Sequence, residues 1–282
     1  KIFSYESNLT YGFDIRYADY KSYRKQSENA LPLHTYNAWE SSLSFYSQNR
    51  TKLNKQSTFL SGFRIQNNKI SIKDLLNINA PDYAGWQTEH KPFTDHERNF
   101  IYNLDLDHKI FKNTNIYTRI GNGFRYPNID DRIGGSGGTS LNLNTQTSSD
   151  LEIGLKYKSE NFFTNLSFYN IEGKNEITYD TDAFENININ STRRYGIELN
   201  TNHIIFDNIE IINHFTYAKA KYTSGDQGTY ATNFKDNDVP LVPQYSYDAS
   251  LILQKSKFLE VIPSIKYQSS MRMESDDENF QE

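Results

Sequence analysis

The sequence predicts an all-β fold: an antiparallel transmembrane β-barrel, present in part. Three observations predict it. Apolar and polar residues alternate with period two from one end of the chain to the other. The links between alternating segments are short and long in turn. The polar face of many segments carries charge, while the other face is rich in aromatic residues.

The segments follow in order. In 10–18, Tyr11, Phe13, Ile15 and Tyr17 oppose Gly12, Asp14 and Arg16. In 39–48, Trp39, Leu43 and Phe45 oppose Glu40, Ser44 and Tyr46. In 57–66, Phe59, Phe63 and Ile65 oppose Gly62, Arg64 and Gln66. In 98–108, Phe100, Tyr102, Leu104 and Leu106 oppose Asn99, Asn103, Asp105 and Asp107. In 115–125, Ile116, Thr118, Ile120 and Phe124 oppose Tyr117, Arg119, Gly121, Gly123 and Arg125. In 150–158, Leu151, Ile153, Leu155 and Tyr157 oppose Asp150, Glu152, Gly154 and Lys156. Segments 162–169, 195–200 and 209–217 repeat the pattern, and 243–254 and 258–269 show it more weakly. That makes about eleven strands.

Short polar links are expected at 50–56, 109–114, 159–161, 203–208 and 255–257, and long ones at 19–36, 68–97, 126–147, 173–187 and 223–242. In an antiparallel meander every second link lies at the same end. One end is therefore trimmed and the other carries large loops. A soluble sandwich buries its apolar face and has links of similar length at both ends. A membrane barrel crosses with roughly 9–11 tilted residues per strand, an apolar outer band, a polar lumen, short periplasmic turns and long extracellular loops. Lipid offers backbone polar groups no partner, so strands can span it only in a closed barrel.

The bulk composition narrows the field. The 282 residues are 36% hydrophobic and 15% aromatic, with Tyr (21) and Phe (18) supplying nearly all of the aromatics. A disordered chain is poor in aromatics. The net charge of −5 gives no support for a nucleic-acid partner. There is no cysteine, hence no disulfide framework and no thiolate metal site. No stretch approaches 18 apolar residues, the length a spanning helix needs. No nucleophile-elbow pattern or standout carboxylate pair suggests an enzyme.

Five stretches, in order, resemble TonB-dependent outer-membrane receptors. GNGFRYPNIDDR (121–132) is similar to that family's strand ending in Gly-Phe-Arg-x-Pro and its acidic loop. SSDLEIGLKYK (148–158) is similar to its Glu-x-Gly-x-Lys strand, although the lead LNLNTQTSS lacks the family's Lys-Pro-Glu. FTNLSFYNIEGKNEI, NINSTRRYGIELN and VPLVPQYSYDASLIL resemble the strands that follow. The resemblance covers roughly residues 37–270. It implies a 22-stranded barrel around an N-terminal plug. On that reading 1–282 is a C-terminal-half portion of the barrel, with plug, early strands and closing strands outside it. The implied role is energy-coupled uptake of a scarce solute across a Gram-negative outer membrane, not catalysis. A ferric siderophore is the first-choice solute; a passive porin-like channel, or a receptor for cobalamin or oligosaccharide, is the alternative. The implied partners are the solute, the lipid bilayer and a TonB-type energy-coupling protein engaged through the absent N-terminal part. No cofactor is expected.

Candidate ligand-binding residues lie in the long links: Arg125, Tyr126, Arg132, Trp86, His90 and Tyr230. Cationic and aromatic groups together suit an anionic, partly aromatic chelate. The acidic pair Asp130–Asp131 is expected to pair with Arg132 or Arg125, and the glycines of 134–138 to let the loop close over a solute. The six histidines do not form a metal site by spacing, with His34 isolated. No histidine falls between Phe124 and Ser149, where haem receptors of the family carry one. Inward charges such as Arg119, Glu152, Lys156 and Glu198 are expected to pair with each other and with the plug. The inward glycines Gly121, Gly123, Gly154 and Gly196 are expected to make room for the plug.

Overall fold

Each alternating segment becomes a strand in the expected order. The computed structural model describes residues 6–81, 89–133, 141–180, 184–224, 226–227, 232–256, 258–274 and 276–280. Nine long strands come first: β1 (Glu6–Arg24), β2 (His34–Lys52), β3 (Ser57–Leu76), β4 (Phe93–Phe111), β5 (Thr114–Arg125), β6 (Gln146–Lys158), β7 (Phe162–Asp180), β8 (Glu185–Phe206) and β9 (Ile209–Tyr222). A five-residue helix, α1 (Ile129–Ile133), lies between β5 and β6. Two short strands, β10 (Asp226–Gln227) and β11 (Thr232–Asn233), form a separate ribbon. β12 (Tyr245–Ser256), β13 (Leu259–Val261) and β14 (Ser264–Gln268) complete the order.

The main sheet has 12 strands, each antiparallel to its sequence neighbour, with β12 pairing β9 on one side and both β13 and β14 on the other. Pro263 sits between β13 and β14; it has no N–H to give, and its carbonyl accepts from Leu251 N at 3.0 Å. β13 and β14 thus share one position, which leaves the eleven positions expected from the sequence. β1 forms one edge of this partial barrel. No described helix is long and apolar enough to cross a membrane, which says nothing about a barrel.

Register fixes the two faces, because directly opposite residues point the same way. Ile116, Leu155, Leu166, Leu199 and Phe215 lie on one continuous outward row across β5–β9. Tyr11, Phe13 and Ile15 are outward and each is at least 70% exposed, although apolar. The inward row runs through Asp105, Arg119 and Glu152.

The ends of the strands differ from the expected ones. Turns at one end are short, as expected: residues 53–56, 112–113, 159–161 and 207–208. At the other end the strands run further into the links. Three long links shrink to 25–33, 77–92 and 126–145, the one expected at 173–187 is only 181–184, and the last runs 223–244, close to its expected bounds. β7 and β8 remain paired as far as Asp180–Glu185. Asn175 has φ 55°, a conformation asparagine tolerates, and beyond it the alternation of β7 resumes with Glu176 facing Arg194.

On β2 and β3 the reason for the underestimate is an inversion of polarity along the strand. In the lower part of β3 the apolar residues Phe59, Phe63 and Ile65 face outward. In the upper part Ile70 and Ile72 face inward and are buried, while Lys69, Ser71 and Lys73 face outward. β2 does the same, with Leu43 and Phe45 outward below, and Tyr36 and Ala38 inward and buried above.

Two glycines fill a different role from the expected one. Gly154 lies directly opposite Tyr117, and a Cβ there would come within 2.4 Å of the tyrosine ring. At Gly196, opposite Tyr169, such a Cβ would come within 2.1 Å of the Tyr217 backbone carbonyl on β9 and 2.7 Å of the Tyr169 hydroxyl. Within the wall, the room at Gly154 is taken by the Tyr117 side chain of β5, and that at Gly196 by the β9 backbone and the Tyr169 side chain of β7.

Candidate functional site at the loop end of the wall

The inward apolar residues of the upper strands would face water if nothing covered them. The link 126–145 covers them. Pro127 ends β5, since it cannot continue the ladder, and the chain turns into α1. Asn128 and Asp131 form a capping box: the Asn128 side chain accepts from Asp131 N at 2.8 Å, and Asp131 accepts from Asn128 N at 2.9 Å. α1 then presents Ile129 and Ile133 to Tyr36, Ala38, Ile70 and Ile72, forming the buried core of this end, with Phe93, Tyr126 and Leu141 packed around it.

Polar contacts fix α1 from several strands at once. From β1, the Tyr20 hydroxyl donates to Asp130 at 2.7 Å and Arg24 donates to the Ile133 carbonyl at 2.7 Å. The second contact satisfies a carbonyl that the helix end leaves open. From β8, Asn186 donates to the Asp131 carbonyl at 2.8 Å. Thr145, at the far end of the link, donates to Glu97 of β4. The described parts of the link, 126–133 and 141–145, are therefore docked on the inner wall, and glycines 134–138 lie outside the described residues.

The candidate residues occupy different environments. Arg125 is 46% exposed, and one of its terminal nitrogens donates to both Asp131 oxygens at 2.7 and 2.9 Å. This is one of the two pairings expected for the acidic pair. Tyr126 is half-buried, its hydroxyl 3.4 Å from Asp95, and burial pushes its phenol well above the usual tyrosine value. The Arg132 side chain is 0% exposed. It donates to the Leu141 carbonyl, sits 3.3 Å from Asp95, and lies over the rings of Phe93 and Tyr126 at 5.0 and 5.8 Å. Arg125, Tyr126 and Arg132 are thus gathered around one helix.

His90 lies beside the other end of α1, linked to it through a chain of contacts. His90 N donates to Asp74 at 3.0 Å, and Asp74 also holds His34 Nδ1 at 2.9 Å. The His34 ring stacks on Tyr36, and Arg24 lies over Tyr36 at 5.6 Å. His34 is therefore not isolated, as its spacing suggested. Burial pushes the His90 imidazole below the usual histidine value; Asp74 opposes this, and His34 and Arg24 add to it. The described residues hold no group of three or more metal-ligating side chains. Trp86 and Tyr230 lie outside the described residues.

Below α1 the inner wall is a charged lattice. Arg119 reaches Asp105 at 3.8 Å and Asp150 at 3.9 Å, Tyr117 donates to Glu152, and Lys156 lies 4.1 Å over the Tyr117 ring. These cross-strand pairings match the expectation that inward charges pair with each other. A cavity of about 460 Å³ opens here, lined by Arg119, Glu152, Tyr169, Arg194 and Glu198. Arg24 reads in the sequence as one of the cationic residues of the long links, whereas sequence reasoning missed Asp74 and Asp95. For Asp74 the signal was the parity that Arg64, Gln66, Ile70, Ile72 and Asp74 share on β3, which continues the inward row.

The comparisons with known proteins agree with this architecture. The family profile described as "TonB dependent receptor-like, beta-barrel" matches residues 1–276. Among solved structures, the chain is similar to the ferric-catecholate import receptor Fiu of E. coli K12 in its closed form, at 13% identity and TM-score 0.69, covering 94% of this chain and 42% of that one. It is similar to the ferric yersiniabactin uptake receptor FyuA of Yersinia pestis at 14% identity and TM-score 0.69, covering 92% and 39%. It is also similar to the copper transporter OprC at 14% identity and TM-score 0.66, covering 89% and 39%. No curated protein sequence matches. The chain spans about two-fifths of the length of these receptors, and at such identities the likeness is one of fold. The profile match spans nearly the whole sequence, and the chain belongs to the TonB-dependent receptor β-barrel family.

Proposed function

We propose that the chain forms about half of the wall of an outer-membrane receptor that takes up a ferric siderophore by energy-coupled transport. The remaining wall, a lumen plug and the contact with a TonB-type protein belong to the rest of that receptor. The observation that carries the reading is the docked link at the mouth. It sets a half-open cation, Arg125, beside the lumen entrance, on a scaffold tied to β1, β4 and β8. Only one terminal nitrogen of Arg125 bonds to Asp131, so its Nη1 and Nε donors remain open among the described residues. A planar fork with free donors suits the carboxylate or catecholate oxygens of an iron chelate. In this reading Tyr126 supports Arg125 from the buried side and Arg132 holds the link in place. His90, with its imidazole kept neutral near pH 7, offers a hydrogen bond rather than a charge. Trp86 and Tyr230 remain proposed aromatic contacts from the neighbouring links.

The test uses the full-length protein carrying this chain. Arg125→Ala should weaken binding of an anionic ferric chelate by about 1–2 kcal/mol and leave the folded barrel intact. Titration of a panel of chelates would measure this. In cells, uptake of labelled iron chelate should stop when the energy-coupling protein is deleted. Uptake that continues at the parent rate would contradict energy coupling, and unchanged binding of every chelate would contradict the site.

A further inference from the structure

Successive cross-strand rows on the outward face of β6–β9 and β12 are apolar, with one exception. Ile153, Phe168, Ile197, Tyr217 and Tyr245 make one row. Leu155, Leu166, Leu199, Phe215 and Tyr247 make the next towards the turns. Two rows further on stand Phe162, His203, Ile211 and Leu251. The row in between is different. After Tyr157 of β6 it consists of Thr164 on β7, Thr201 on β8, Asn213 on β9 and Ala249 on β12. Directly opposite residues point the same way, so all four face outward.

This row lies inside the apolar band. On β9, Ile211 and Ile209 stand between Asn213 and the turn 207–208, and on β12, Leu251 and Leu253 lie beyond Ala249. Asn49 on β2 is also outward, but only Thr51 separates it from the turn 53–56. Asn49 stands at the rim, where water and headgroups can serve it; Asn213 does not.

A carboxamide facing hydrocarbon is costly unless its donors and acceptors are met. Asn213 is met in part. Its Nδ2 donates to the Thr201 hydroxyl at 3.1 Å, and its Oδ1 accepts from the Tyr247 hydroxyl at 2.8 Å. A carboxamide has two N–H donors and two lone pairs, so one of each is left over among the described residues. Lipid tails offer a partner to neither. The row holds no lysine, arginine or carboxylate, so a second surface of the same composition meets no repulsion. Thr, Asn and Ala are also smaller than the Leu, Phe and Tyr of the row above, so the wall is lower along this line.

We propose that this row is a contact for a second copy of the same receptor, with the two Asn213 carboxamides hydrogen-bonded to each other across a two-fold axis. The spare N–H of each donates to the spare lone pair of the other. A two-fold contact needs a self-complementary patch, and a carboxamide is donor and acceptor at once. Both copies keep their long links on the same side of the membrane. The axis therefore runs along the membrane normal, and the same row of each wall faces its counterpart. The small residues let the two walls approach closely and the polar groups hold them, as between membrane helices. The proposal rests on the membrane-barrel reading.

The experiment uses the full-length protein in a cysteine-free form, inserted into phosphatidylcholine vesicles at low protein density. Ala249→Cys places a thiol in the row, and Leu104→Cys places an outward thiol on β4, away from it. A short membrane-permeant bis-maleimide should link copies carrying Ala249→Cys into dimers and leave those carrying Leu104→Cys monomeric. Adding Asn213→Leu to Ala249→Cys should cut the dimer yield about ten-fold, as two hydrogen bonds within lipid are lost. Asn213→Gln keeps the carboxamide and should keep part of the yield. Thr201→Val is the milder variant and should show a partial loss. The mobility of the folded barrel on unheated gels shows that each variant has assembled. Equal linking through the two thiols would mean random collision and overturn the proposal. An undiminished yield from assembled Asn213→Leu would overturn it too. A parent that inserts but stays monomeric at every protein density overturns this proposal alone. One that enters no bilayer overturns the barrel reading beneath it as well.

Discussion

Leu155→Arg should destabilise the folded barrel by about 2–4 kcal/mol, whereas Lys156→Leu, one residue along, should cost far less. Leu155 faces outward in the middle of a row that includes Ile116, Leu166, Leu199 and Phe215. In hydrocarbon a guanidinium there has no partner within reach and must drag water or headgroups inward. Lys156 faces the other way and lies over the Tyr117 ring, so its loss removes one cation–ring contact, worth about 1 kcal/mol. Equilibrium folding of the full-length protein into lipid vesicles measures both. Equal costs, or the reverse order, would show that the faces are assigned the wrong way round.

Arg132→Ala should release the link 126–145 from the wall while the barrel still assembles. The Arg132 guanidinium is fully enclosed, donates to the Leu141 carbonyl, neutralises Asp95 and covers two aromatic rings. Removing it leaves the Leu141 carbonyl without this donor and Asp95 with only the Tyr126 hydroxyl at 3.4 Å. Breaking a buried pair costs about 3–5 kcal/mol, and the partial solvent access of Asp95 reduces this to about 2–4 kcal/mol. Strand pairing does not depend on the side chain, because α1 lies off the sheet. Hydrogen exchange of the 126–133 amides should speed up by two to three orders of magnitude, roughly as that energy converts, with the β5 and β6 amides little changed. Arg132→Lys should rescue only in part, since an ammonium cannot stack flat between Phe93 and Tyr126 while reaching Leu141. Unchanged protection in the Ala variant would mean that the apolar contacts of Ile129 and Ile133 hold the link alone.

The strands and their facing were legible because one face meets lipid and the other does not. Phe59, Phe63 and Ile65 announce β3, and the parity they set holds through the whole strand. What the alternation could not disclose is where a strand leaves the membrane. Above that level water is outside and the docked link is inside, so apolar residues change parity. Ile70 and Ile72 break the lower pattern while continuing the strand, and they read as the start of a link. The same inversion hid Tyr36 and Ala38. The site was legible in part. Arg125, Tyr126 and Arg132 follow the Gly-Phe-Arg-x-Pro stretch and do come together. Their division into an open cation and an enclosed one was not legible, because it depends on Asp95 and Phe93, more than thirty residues away in sequence. Asp74 joining His34 and His90 is hidden for the same reason: the pairing crosses from β2 to β3 and on to the following link.

The central claim is that this chain spans an outer membrane with its long links outside. Site-specific thiol labelling on intact cells tests it most directly, because the chain has no cysteine of its own. In the full-length protein, Glu28→Cys in link 25–33 and Asn79→Cys in link 77–92 should react with a membrane-impermeant maleimide. Lys55→Cys in turn 53–56 and Glu160→Cys in turn 159–161 should react only after the outer membrane is opened. Labelling of the two turn positions on intact cells, with the link positions protected, would contradict the account.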